Sequence, residues 1–131
     1  MHAEIYAGTA GHSAWFSNDL GQTWVHPNSH SGMYLEARVW TFSSHPSDPN
    51  LLYAGTDMGL YRWDERTTRW KHLPSPMTDI WALVQDPDHP DTLYAGTRPA
   101  GFYRIRFFLL RQLHAVTLAV VTHTTDRRPL L

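Results

Sequence analysis

The chain contains no cysteine. Disulfide bridges, thiolate catalysis and zinc–thiolate sites are therefore excluded together. Charge is also nearly absent as a net quantity. Eleven Lys and Arg stand against 12 Asp and Glu, for a formal charge of −1 and a pI of about 6.7. A basic surface for nucleic acid or an anionic membrane is not expected from that balance. The apolar runs near the C-terminus are interrupted by Arg111, Gln112 and His114, short of the roughly 20 clean apolar residues of a membrane span. The opening "MHAEIYAGTAGH" lacks the basic segment and apolar core of a secretory signal, so the expected location is cytoplasmic. Phosphate-binding Gly-Lys-Ser/Thr loops, Gly-x-Ser-x-Gly elbows and His-Glu-x-x-His pairs are missing too, and neither a cofactor nor a metal is expected.

Aromatics and turn formers are plentiful: six Trp, six Tyr and nine Pro in 131 residues. That mix suits one domain of short strands and tight turns. The strongest signal is an internal repeat. "VWTFSSHPSDPNLLYAGTDMGLYRW" (39–63) aligns with "IWALVQDPDHPDTLYAGTRPAGFYRI" (80–105). Trp40 matches Trp81, Pro46 matches Pro87, Pro49 matches Pro90, and Tyr53–Thr56 matches Tyr94–Thr97, all 41 residues apart. An earlier "IYAGT" places Tyr6 47 residues before Tyr53, an interval longer by six.

Each unit reads as four short strands, exemplified by Val39–Ser44, Leu51–Thr56, Leu60–Asp64 and Arg69–Leu73. Proline cannot donate to a ladder, which puts Pro46 and Pro49 in a turn. Four antiparallel strands in about 41 residues is the size of one β-propeller blade. The expected fold is all-β, a partial propeller of about two and a half four-stranded antiparallel blades. Its blade parts fall at 4–27, 38–74 and 79–104 within a repeat domain 1–104. A twisted sandwich is the alternative, though it would not need a fixed period. Closed propellers have about four to eight blades, so the chain is expected to be a fragment or to close by self-association.

The octapeptide "SNDLGQTW" (17–24) fills the turn between the third and fourth strands of the first unit. Asp19 can accept from nearby backbone N–H groups, Gly21 can take positive φ, and Trp24 can fold back over the turn. Trp63–Trp70 occupies the same slot in the second unit. Ser17, Asp19, Gly21, Thr23 and Trp24 fit the pattern Ser-x-Asp-x-Gly-x-Thr-Trp, and this stretch resembles the Asp-box of sialidase-type (BNR-repeat) β-propellers. The surrounding "LYAGT…GLYR" is similar to glycosyl-hydrolase-like and photosystem-assembly propellers of that group. The resemblance covers roughly residues 4–104. It implies that these five residues stabilise a hairpin at the blade periphery, away from any catalytic face. The second copy departs from it, with Glu65 in the aspartate's place and Thr67 in the glycine's.

After "AGFYR" the pattern stops. Residues 105–131 contain no Gly, Trp or Tyr and a single acidic residue, Asp126. The third blade is expected to stay unfinished, with 105–131 an atypical apolar and basic tail. Truncation followed by unrelated sequence is one reading and a genuine family-specific tail the other. "RFFLLRQLHAVTLAVV" could pair as an irregular strand or lie as a short helix over the exposed blade.

Sialidase chemistry requires a carboxylate-clamping arginine set, a Tyr–Glu nucleophile pair and an acidic general acid/base. The face formed by the second-to-third-strand turns and the inter-blade connections offers His12, Tyr34, Glu36, Arg38, Asp57, Asp79 and Arg98. Glu36 and Arg38, two apart, would share one side of an extended chain, as half of a ligand site or as a rim salt bridge. The longer connection 26–37 is the most site-like loop. His26 and His30 have helical metal-ligand spacing, but Pro27 argues against a helix there. The acidic turn "DPDHPD" lacks calcium-loop spacing. Trp40 and Trp81 could stack sugars near the channel or fill space between blades. No catalytic residue is assigned. The expected function is a binding or scaffold module acting on protein or carbohydrate. A sialidase-type glycoside hydrolase fragment and a protein-assembly factor are the alternatives.

Overall fold

Alternating apolar and polar residues between Pro- and Gly-bearing turns give short extended segments that must pair to satisfy their backbone groups. A computed structural model describes residues 4–27, 30–73, 77–99, 101–110 and 116–124. These residues form strands and turns without a helix, so none is long and apolar enough to cross a membrane. The strands are β1 (Ile5–Gly8), β2 (Ala14–Ser17), β3 (Val39–Ser44), β4 (Leu51–Thr56), β5 (Gly59–Asp64), β6 (Arg69–Leu73), β7 (Asp79–Gln85), β8 (Thr92–Arg98), β9 (Phe102–Leu110) and β10 (Val116–Thr124). All pairings are antiparallel between sequence neighbours. They make a two-stranded sheet β1–β2 and two four-stranded sheets, β3–β4–β5–β6 and β7–β8–β9–β10.

The all-β fold and the four strands of the middle unit lie where the repeat places them. Two expectations need correction. In the first unit the strand expected from Trp24 is reduced to one bridge, Phe16 with Val25. Pro27 follows two residues later and cannot donate to a ladder. In the third unit the break expected at Ile105 is not a break in the sheet. β9 continues to Leu110 and β10 pairs along it, from Val116 opposite Leu110 to Thr124 opposite Phe102. The third sheet thus has four strands. The Val- and Thr-rich run 116–124 has the composition of a strand, and pairing requires no polar turn motif. Residues 111–115 and 125–131 of the expected tail lie outside the described residues.

The sheets pack through two apolar layers. One joins Tyr53, Leu60 and Leu73 of the second sheet to Ile80, Leu83, Leu93, Ala95, Ile105 and Phe107 of the third. The other sets Tyr6 and Ala14 against Val39, Ala54, Tyr61 and Trp70, with Met33 and Ala37 of the long connection closing it. Leu60, Ile80, Leu93 and Ile105 are fully buried, each contributing roughly 1.5–3 kcal/mol of apolar transfer. The middle sheet therefore buries both faces.

Repeat-equivalent glycines mark how closely the units approach. A Cβ on Gly8 would meet the Val39 carbonyl oxygen at 2.6 Å, and one on Gly55 would meet Ile80 Cγ2 at 2.7 Å. Val39 and Ile80 are themselves equivalent, the first residue of β3 and the second of β7. Gly96 holds the same place in the third unit, where the nearest atom to an added Cβ is Ala82 Cβ at 3.7 Å.

Candidate functional site

The turn 17–24 is closed by its own side chains. Thr23 donates from its N–H to Asp19 Oδ1 at 2.8 Å and from its hydroxyl to Asp19 Oδ2. Ser17, fully buried, donates its hydroxyl to Asp19 Oδ1 at 2.8 Å and accepts from the Gly21 N–H at 2.9 Å. Leu20 and Gly21 both take positive φ, 60° and 85°, which glycine tolerates and leucine does so at a cost. Trp24 folds back and donates Nε1–H to the Gly21 carbonyl at 3.1 Å. The Thr23 hydroxyl and N–H, with Ser17, hold the Asp19 carboxyl down at about 2, against the usual carboxylate range near 4. The Ser17 and Thr23 hydroxyls, the Gly21 and Thr23 N–H groups and the Trp24 indole N–H all donate or are met within the turn.

In the second unit the same turn is held differently. Asp64, one place before the residue aligned with Asp19, accepts from the Arg66 N–H through Oδ1, and its carbonyl accepts from the Thr67 and Thr68 N–H groups. Glu65 leaves the turn instead. Its Oε2 accepts from Trp63 Nε1 at 2.8 Å and from the Tyr6 hydroxyl at 3.3 Å, tying the first unit to the second. Glu65 therefore does not stand in for the aspartate.

The candidate ligand residues separate into two groups. The first gathers where β3 and β7 begin. Trp40 and Trp81 stack at 4.4 Å between ring centroids, 14° from parallel. Each sits at a register shift, between Val39 and Thr41 in one sheet and between Ile80 and Ala82 in the other. Such a bulge leaves one residue unpaired and re-aims its side chain. Asp79 Oδ1 accepts from Trp40 Nε1 at 2.9 Å, and the Arg98 guanidinium carbon stands 5.6 Å from the Trp81 ring centroid. Asp79 and Arg98 are directly paired across β7 and β8. Trp81 remains 44% exposed. The 41-residue offset relates Arg38 to Asp79 and Asp57 to Arg98, so the acidic and basic positions exchange between units. At the Arg38 end, Asp57 Oδ1 accepts from the Arg38 N–H at 3.0 Å and the Asp57 N–H donates to the Arg38 carbonyl at 3.1 Å.

The second group lies in the long connection. Tyr34 donates its hydroxyl to Glu36 Oε2 at 2.9 Å, and that carboxylate raises the phenol's pKa. Glu36 and Arg38 do not share an extended stretch. The Ala37 N–H donates to the Tyr34 carbonyl, closing a turn that redirects Glu36, and among the described residues the two form no ion pair with each other. The loop is anchored, since Met33 and Ala37 are buried and Gly32 lies so close to Trp70 that a Cβ would strike its carbonyl. His12 is set apart from both groups, with its ring edge-on to Trp15 at 5.2 Å and its carbonyl accepting from Trp15 Nε1.

The remaining candidates have local work. Asp86 caps its own turn, accepting from the Asp88 and His89 N–H groups, and takes the Tyr94 hydroxyl at 2.9 Å. Those bonds, the Asp88 N–H first, lower its pKa. His45, its equivalent 41 residues earlier, caps with Nδ1, accepting from Asp48 N–H at 2.9 Å and Ser47 N–H at 3.2 Å. His26 packs against Trp15 with ring centroids 4.1 Å apart and the planes tilted by 48°. Among the described residues no three His, Asp or Glu converge as a metal cluster. A cleft of about 550 Å³ opens between the first two sheets, walled by Tyr6, Trp15, Trp63 and Trp70 with Glu65.

The Trp40–Trp81 stack was visible in the sequence only as two matched positions; the bulges that bring the rings together were not. No family model matches the chain, and no curated protein matches it significantly.

Proposed function

We propose that the chain is part of an Asp-box β-propeller and serves as a binding module without catalytic machinery of its own. Its ligand end is where β3 and β7 begin. One observation carries this reading: an exposed Trp81 stacked on Trp40, with Arg98 beside its ring and Asp79 bonded to the Trp40 indole. An aromatic face flanked by a guanidinium and a carboxylate suits a sugar ring, which offers C–H groups to the indole and hydroxyls to the charges. The three carboxylates nearest the two groups are already acceptors for protein donors: Glu36 for Tyr34, Asp57 for Arg38, and Asp79 for Trp40. That supports positioning over acid–base chemistry. Titrating the purified chain with sialosides and neutral oligosaccharides while following tryptophan fluorescence tests it. Saturable quenching lost in Trp81→Ala is expected, with no aryl-glycoside hydrolysis. An unchanged signal across the panel would remove the ligand end.

A second reading rests on the Tyr34–Glu36 hydrogen bond. A tyrosine bonded to a carboxylate is the arrangement of a sialidase nucleophile, and a hydrolase fragment would carry its arginines and general acid on further blades. Turnover abolished by Glu36→Gln would favour it.

A further inference from the structure

The two interfaces between sheets differ at one pair of equivalent positions. Between the second and third sheets Tyr53 is buried and stacked on Phe107, with ring centroids 5.2 Å apart and the planes 18° from parallel. Tyr6 is the equivalent of Tyr53, and Glu65 is the equivalent of Phe107. Backbone bonds make the second match plain. The Phe107 N–H donates to the Asp91 carbonyl at 2.8 Å and the Glu65 N–H to the Asn50 carbonyl at 3.0 Å, and Asn50 and Asp91 are 41 residues apart. A carboxylate thus stands between the first two sheets where a phenyl ring stands between the next two. Beside it opens the cleft of about 550 Å³, a volume that suits a small ligand. Tyr6, Phe16 and Trp63 line the cleft and are only partly buried, whereas Tyr53 and Phe107 are covered by each other.

We propose that this cleft binds an organic cation of the choline type, a trimethylammonium head on a short flexible stem. Aromatic faces attract such a group, and Tyr6 gathers Phe16, Trp63 and Trp70 around it at centroid distances of 5.1, 6.3 and 6.5 Å. Glu65 is the single carboxylate among the described residues lining the cleft. Trp63 Nε1 and the Tyr6 hydroxyl both donate to its Oε2 and fix it in place, so the counter-charge sits among the rings. A primary ammonium brings three N–H groups that need acceptors, whereas a trimethylammonium brings none, which suits a cleft walled chiefly by rings. Arg69 also lines the cleft without opposing the cation. It alternates with Trp70 along β6 and faces Asp64, so its side chain leaves the other side of the sheet from Trp63 and Trp70. Neither Trp40 nor Trp81 lines the cleft, and the proposal does not rest on the ligand end.

The probe is choline chloride, titrated calorimetrically into the full chain at about pH 8. Histidine is neutral there, which matters because His26 and His30 also line the cleft. Binding should saturate, half-filled below about 5 mM. The uncharged isostere of choline, with carbon in place of nitrogen, should bind at least about tenfold more weakly. Free trimethyl-lysine carries the same head on an amino-acid stem and should bind more weakly than choline; tighter binding would overturn the choice of stem. Glu65→Gln keeps an acceptor for Trp63 but removes the charge, and should weaken choline at least about tenfold. Glu65→Phe installs the side chain found at Phe107 and should close the cleft and abolish binding. Thermal melts show whether each variant is folded, and the comparison with the isostere decides on the unaltered chain in either case. Half-filling above about 5 mM, equal binding of the isostere, or unchanged affinity in the folded Glu65 variants would each overturn the proposal.

Discussion

Gly55 and Ile80 meet across the second and third sheets so closely that a methyl group on Gly55 would lie 2.7 Å from Ile80 Cγ2 and 2.7 Å from Thr41 Cγ2. Ile80 cannot withdraw easily, since it is fully buried in the shared core. Gly55→Ala is expected to destabilise the chain by about 1–3 kcal/mol through overpacking. Gly96→Ala, at the equivalent position, meets only Ala82 Cβ at 3.7 Å and should be close to neutral. Urea denaturation of both variants checks the contrast. Equal losses would mean that the glycine is required by its strand and not by the neighbouring unit.

The Ser17–Trp24 turn should carry a pH signature. The Asp19 carboxyl is held at about 2 in the folded chain, below its value near 4 when unfolded. Folding therefore favours the ionised form. The associated stability is present above about pH 4 and is lost as pH falls toward 2. Asp19→Asn should melt at a lower temperature than the parent at pH 7, with the gap narrowing between about pH 4 and pH 2. A constant gap across that range would assign the effect to shape and not to charge. Ser17→Ala removes a buried hydroxyl with two partners and should cost roughly 1 kcal/mol.

His45 and Asp86 cap equivalent turns with different acceptors. His45→Ala removes an acceptor from two N–H groups and should cost about 1 kcal/mol. His45→Asp should recover the loss, because a carboxylate already does this work at Asp86. Thermal melts of the two variants at neutral pH make the comparison. Failure of aspartate to rescue would show that the imidazole ring packs as well as caps.

Removing β10 should uncover the whole length of β9. Open strand edges template further pairing, so a chain ending after Leu110 is expected to self-associate at concentrations where the full chain does not. Light scattering measures this. A more monodisperse truncated chain would mean that β10 is itself the sticky element.

The repeat made most of the strands legible before any coordinates. Matched prolines, the Tyr-Ala-Gly-Thr runs and the 41-residue offset are properties of the chain that local physics converts into strands and turns. Turn 17–24 belongs to the same class, because its donors and acceptors lie within eight residues. Position 65 does not. A glutamate aligned with Asp19 reads as a weakened copy of the turn, yet its longer side chain reaches Trp63 and a tyrosine 59 residues away. The third unit misled for a related reason. Composition changes at Ile105, but a strand is recruited by the free edge beside it, and that edge exists only after β8 and β9 have paired.

Sequence alone determined the all-β character, the period and the turns, because each depends on neighbours a few positions away or on a pattern that repeats. Tertiary structure decided the rest. Bulges at Trp40 and Trp81 bring the two rings together, Asp79 and Arg98 gather around them, and Glu65 joins two units. Those contacts depend on how one twisted sheet lies against the next, a distance that no local pattern encodes.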